Sequence, residues 1–136
     1  MAKVTTWLQR FPFAAYLWVW LLPILLYVNT IPNGYNLDDE LVTNNHPLTS
    51  QGIKAIPEIL SSSYHGSEGV KYDYRPVVHI SFAVEHSLFG QSPHISHAIN
   101  VLLYALLCLM LLTLARWLLP EHWGPWLPLL TVTLFI

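Results

Sequence analysis

Apolar positions along the chain gather into three runs, separated by one long mixed stretch and one short polar break. From Phe11 to Val28 (FPFAAYLWVWLLPILLYV) 18 residues pass without a charged side chain. As a helix that run is about 27 Å long, enough to cross the hydrocarbon core of a bilayer. A cleaved signal peptide also opens with a few cations and an apolar run. This one is long, contains Trp18, Trp20 and Pro23, and is followed by no small-x-small cleavage signal, so it reads as a membrane helix. No Asp, Glu, Lys or Arg occurs from His86 to Ala115, and Ala98 to Ala115 is apolar except for Asn100 and Thr113. Beyond a polar break at Arg116, Glu121 and His122, a third apolar run (WGPWLPLLTVTLFI) extends to Ile136. A membrane helix needs about 20 residues, so this run is expected to be the start of a third span in a longer protein.

The expected organisation is an N-terminal segment over 1–10, a first transmembrane helix over 11–28, a loop over 29–97, a second transmembrane helix over 98–119, and a short turn with a partial third span over 120–136. The fold class is an all-α polytopic membrane protein whose loop is built of short amphipathic helices. Ile53, Ile56 and Leu60 fall at i, i+3 and i+7, with Pro57 suited to a first helical position and His65-Gly66 beyond the end. A second helix is expected from Pro76, with Val77, Ile80 and Val84 on one face and a stop at Phe89-Gly90. Each is too short to be stable alone and needs a surface, such as the membrane interface, to bury its apolar face. Ser92-Pro93 is a third start signal, which begins the second membrane helix outside the bilayer and puts His94, His97 and Asn100 on its outer turns.

Composition agrees with this reading. The 136 residues include 54% hydrophobic and only 10% charged side chains, against about 25% charged in a soluble domain. The net charge of −2 gives no basic surface, which excludes nucleic acid as a partner. A single cysteine, Cys108, excludes an internal disulfide and a cysteine-based zinc site. Lys3 and Arg10 before the first span and Arg116 after the second favour a cytoplasmic location for both ends, so the loop 29–97 is expected to be external or lumenal. Trp7, Trp117, Trp123 and Trp126 fall near the expected interfaces, where indoles are comfortable.

Two constellations in the loop carry candidate chemistry. Asp38-Asp39-Glu40 follows the first span after a turn (IPNGYN), and three adjacent carboxylates disfavour one another's ionisation unless solvated, paired or used. A solvated helix start capped by Asn36 or Asp38 accounts for the same residues. Tyr74-Arg75-Pro76 opens an amphipathic helix, with His79 one turn on. Arg75 beside a helix N-terminus suits an anion such as phosphate; snorkelling or a carboxylate partner is the structural alternative. No HxH or HExxH spacing occurs among the seven histidines, so a histidine metal site is the least favoured reading.

The series NLDDE, VTNN, YRPVVHISFA and LFGQSPHISHAINVLL, following a first span, resembles the N-terminal region of the transmembrane and tetratricopeptide repeat proteins, over roughly residues 11–119. Those are type C glycosyltransferases, alongside the protein O-mannosyltransferases and the bacterial lipid A aminoarabinose transferases. The resemblance implies a polytopic enzyme, of the bacterial inner membrane or the endoplasmic reticulum, that moves a sugar from a polyprenyl phosphate carrier to a hydroxyl acceptor on the non-cytoplasmic face. Its acidic motif matches Asp38 and Asp39, the implied catalytic residues, while Tyr74, Arg75, His79 and His97 are the implied donor and lipid-phosphate residues. Tyr104 stands where relatives often have His, and no tetratricopeptide repeat lies within this sequence. Such enzymes include metal-dependent members, so a divalent metal near Asp38 and Asp39 stays open. The alternative function is a non-catalytic membrane subunit whose external loop docks a partner protein.

Overall fold

A computed structural model describes residues 13–36, 39–43, 46–61, 74–124 and 126–136. Among them every regular element is helical. In chain order these are α1 (Phe13–Tyr27) running into a 3-10 turn (Val28–Thr30), α2 (Asp39–Val42), a 3-10 segment (Thr49–Ala55) running into α3 (Ile56–Ser61), α4 (Pro76–Phe89), α5 (Pro93–Leu118), a 3-10 turn (Glu121–Trp123) and α6 (Trp126–Phe135). The chain divides into two compact units, one formed by 1–30 with 98–136 and the other by 31–97.

Two helices are long and apolar enough to cross a membrane, over Phe13–Thr30 and Pro93–Leu118, and the first unit holds the former, the latter from Ala98 on, and the shorter apolar α6. Their helicity follows from length and composition: the runs are rich in Leu and Ala, good helix formers. Ala15 and Val19 of α1, Cys108 and Leu112 of α5 and Val132 of α6 form the core, with Tyr16, Tyr104, Leu109 and Leu129 packed around it. Cys108 is thus a small buried core residue, as its apolar surroundings in the sequence suggest. Tyr104 packs edge-on against Tyr27, with ring centroids 5.4 Å apart. At the opposite end of the pair, the buried Arg116 donates to the Tyr16 hydroxyl and lies over its ring. Much of the helix surface is apolar: Leu17, Trp18, Leu25, Leu103, Met110 and Leu114 are all exposed.

The second unit is organised by α4. Pro76 begins it and Gly90 ends it, with the Gly90 N–H bonded to the His86 carbonyl at 2.9 Å. Those boundaries are the expected ones, whereas the buried faces differ from the expected ones. His79 and Ala83 are buried and Ile80 partly so, while Val77 is 77% exposed. The small Ala83 side chain lets the Thr49–Ala55 segment approach α4 closely, and Ala55, Ile59 and Ala83 form the core there, flanked by Leu48 and Ile80. In the preceding helix Ile59 is fully buried, whereas Ile53 and Leu60 are about half exposed. The reason is the change from 3-10 winding through Ala55 to α-helix at Ile56, which breaks a continuous 3.6-residue period between Ile53 and Leu60. Residues 62–73, including His65-Gly66, lie outside the described residues.

Candidate functional site

The acidic motif begins α2. Asp39 and Asn36 bond reciprocally: the Asp39 N–H reaches the Asn36 carbonyl at 2.9 Å, and the Asn36 N–H donates to Asp39 Oδ2 at 3.1 Å. This is a capping arrangement in which an acidic side chain reaches back to the residue three before it. The helix-start reading of these residues therefore holds for Asp39, whose carboxylate serves the local backbone. Asp38 lies outside the described residues.

Downstream, Thr43 closes the helix by donating both its N–H and its hydroxyl to the Asp39 carbonyl, at 3.0 and 2.7 Å. The buried Thr49 hydroxyl then bridges to the Thr43 carbonyl at 2.9 Å and the His46 carbonyl at 3.3 Å. His46 Nδ1 accepts the Leu48 and Thr49 N–H groups, both at 3.3 Å, and so caps the 3-10 segment. Its ring lies 4.4 Å, centroid to centroid, from that of His79. Thus a run of contacts joins the acidic helix to the head of α4. There the Arg75 carbonyl accepts the His79 N–H at 3.3 Å, and the Tyr74 hydroxyl donates to the Leu60 carbonyl at 2.8 Å, tying α3 to α4.

Upstream, the first turn of α5 grips the irregular segment that precedes α2. His94 Nδ1 bonds to the Ile31 carbonyl at 2.9 Å and His97 Nε2 to the Gly34 carbonyl at 3.3 Å. Since a carbonyl only accepts, both rings donate there. Between them Tyr35 and Ser96 hydroxyls meet at 2.9 Å, and Ser96 donates to Glu85 Oε1. Tyr35, Thr43, Thr49, Phe82, Glu85, His86, Gly90 and Gln91 line a small recess that touches the segments on both sides of the acidic helix.

Of the residues predicted from sequence, His79 is buried against His46, His97 and Asp39 hold backbone, Tyr74 links two helices, and Arg75 is exposed beside Pro76 at the first turn of α4. Glu85 and Ser96, both buried, were not singled out by sequence. The available signal was Glu85 itself, the one carboxylate in α4, which requires a partner when buried. Among the described residues no group of three or more His, Cys, Asp or Glu side chains is disposed to hold a metal ion.

Burial drives the His79 pKa down to about 4, with the adjacent His46 and then Arg75 adding to the effect, and burial lowers His46 as well. The folded state therefore favours neutral imidazoles, and protonating His46 at Nδ1 also removes its two accepted bonds. Because the unfolded chain binds these protons more readily, the stabilisation is complete above about pH 6.5 and is lost as pH falls from there toward 4. For His79 the loss is on the order of 3 kcal/mol. Thermal unfolding of the detergent-solubilised protein between pH 7.5 and 4 should show this decline, and His79→Gln should flatten it. An equal decline in that variant would dissociate the effect from His79.

No family model matches the chain, and no solved structure matches it. The protein O-mannosyl-transferase Tmtc1 of Drosophila melanogaster is 28% identical over 108 residues. The chain is loosely related to that transferase. The likeness covers 76% of this chain and 12% of the relative, so the chain spans a small part of the protein it resembles.

Proposed function

We propose that this chain is the N-terminal part of a membrane glycosyltransferase that moves a sugar, mannose by analogy with the name of its relative, from a polyprenyl phosphate carrier to a protein hydroxyl on the non-cytoplasmic face. The observation that carries the reading is the coincidence of that sequence likeness with an acidic helix start, whose preceding segment is held by side chains of the first turn of α5, in a chain with two membrane-length helices. Exposed apolar surface as extensive as that of α1 and α5 requires lipid or other spans to cover it.

In this reading the acceptor oxygen attacks the anomeric carbon while Asp38 takes its proton, and the bond from that carbon to the phosphate oxygen breaks with its electron pair leaving on the phosphate. Asp39 orients the motif by its bond to the Asn36 N–H. Arg75, exposed beside the N-terminus of α4, meets the growing phosphate charge, which favours the transition state over the ground state. The His79 N–H closes the first turn on the Arg75 carbonyl, and Tyr74 fixes the turn against α3.

Arg75 offers the direct test. Lysine keeps the charge without the planar donor fork, whereas glutamine loses the charge. With a polyprenyl-phosphate mannose donor and a serine/threonine peptide acceptor, transfer by the full-length protein should fall in the order wild type, Arg75→Lys, Arg75→Gln. The loss should lie in donor use, about 10-fold or more for glutamine. Sealed vesicles of both orientations read the face at the same time, because transfer should require the peptide on the side of the 31–97 unit. Unchanged donor kinetics in Arg75→Gln, or transfer from the other face, would reject the assignment.

A further inference from the structure

The backbone from Ile31 to Asn36 has no regular hydrogen-bonding pattern of its own, yet it delivers the acidic motif. Its position is set by side chains: His94 and His97 hold the Ile31 and Gly34 carbonyls, and Tyr35 meets Ser96 between them. Ser96 is 3% and Glu85 8% exposed, so their hydrogen bond is inside the unit. A carboxylate at the end of such a chain only accepts. Ser96 has one proton, which it gives to Glu85 with the Ser92 carbonyl as a more distant second acceptor at 3.3 Å; both only accept, so the Tyr35 proton must go to Ser96 Oγ. The series is therefore directional, from the Tyr35 hydroxyl through Ser96 to Glu85, and Tyr35 is the residue immediately before the Asn36 cap on Asp39.

We infer that Tyr35, Ser96 and Glu85 form a positioning relay, anchored in α4 and the first turn of α5, that sets the place of the acidic motif for the transfer proposed above. The relay rests on that reading only for its catalytic consequence; its mechanical role is independent of it. A carboxylate acceptor strengthens the Ser96 bond and, through it, the Tyr35 bond, while burial keeps water from substituting for the Ser96–Glu85 bond. The histidines, by contrast, bind only backbone and set register. Displacement of a catalytic group by about 1 Å is enough to cost about 100-fold in rate.

The test compares Tyr35→Phe, Ser96→Ala, Ser96→Thr and Glu85→Gln in the full-length protein reconstituted in nanodiscs, beside Asp38→Asn. Hydrogen exchange of the 31–36 amides reports the mechanical role, and turnover of the polyprenyl-phosphate mannose donor reports the catalytic one. Ser96→Ala should speed exchange in that segment about 5-fold or more and lower kcat about 10- to 100-fold, with donor KM within about twofold. Ser96→Thr, which keeps the hydroxyl, should restore both. Tyr35→Phe removes only the phenolic group and should act in the same direction; it serves if Ser96→Ala does not fold. Glu85→Gln should give an intermediate loss, since the amide oxygen accepts without the charge.

Unchanged exchange in Ser96→Ala and Tyr35→Phe would overturn the relay, as would faster exchange with normal kcat while Asp38→Asn is inactive. A fall in kcat with normal exchange overturns it too. Intact transfer in Asp38→Asn would instead remove the catalytic reading, and faster exchange in the relay variants would show that the relay itself had survived.

Discussion

Asp38→Asn is expected to lower sugar transfer by about 10²–10⁴-fold while leaving expression and membrane insertion unchanged. The substitution keeps the shape of the side chain and removes its charge and basicity, so it isolates proton removal from the acceptor hydroxyl. Neighbouring Asp39 should behave differently. Its carboxylate accepts the Asn36 N–H at 3.1 Å, a bond that an asparagine oxygen can also accept without its charge. Asp39→Asn is therefore expected to be milder than Asp38→Asn, and Asp39→Ala, which removes the cap, to approach it. The measurement is single-turnover transfer from the polyprenyl-phosphate donor to peptide. Full activity in Asp38→Asn would move weight to the reading in which the 31–97 unit docks a partner protein.

Gly52→Ala is expected to be the most damaging single methyl group in the 31–97 unit. At φ 72° and ψ −152° the backbone is in a region that side chains rarely enter. A Cβ there would lie 2.2 Å from Ser87 Oγ and 3.6 Å from the Ala83 carbonyl oxygen. Rotating the Ser87 hydroxyl away does not relieve the strain freely, because that oxygen accepts the Ile53 N–H at 2.8 Å. Backbone strain of about 1–3 kcal/mol and a lost hydrogen bond of about 1 kcal/mol together give about 2–4 kcal/mol. Thermal unfolding should show a large fall in Tm for Gly52→Ala and little change for Gly34→Ala, where no atom lies within 4 Å of an added Cβ. Adding Ser87→Ala to Gly52→Ala should cost less than the sum of the two single changes, since it removes the atom in conflict. A Tm for Gly52→Ala within a degree of wild type would show that the segment and α4 separate without loss.

What the sequence determined by itself was set by local chemistry. Long charge-free runs give membrane-length helices because every backbone group can be satisfied within the helix, and Phe13–Thr30 and Pro93–Leu118 are those helices. Pro76, Gly90 and Pro93 mark boundaries because a missing N–H or a left-handed backbone acts on the nearest turn alone. The acidic helix start after the IPNGYN turn belongs to the same class of signal, with its cap three residues away. Tertiary structure decided which faces those helices bury and what their polar side chains serve. The change from 3-10 to α winding at Ile56 interrupts the periodic face drawn through Ile53, Ile56 and Leu60, and contact with α4 selects Ala55 and Ile59 instead. His97 and Ser96 find partners 63 and 61 residues away, at Gly34 and Tyr35. His79 meets His46 across a packed core, and Glu85 closes the hydroxyl relay. Spacing along the chain reports only which side chains share a face; which distant polar group completes a buried hydrogen bond is settled when the helices pack and water is excluded.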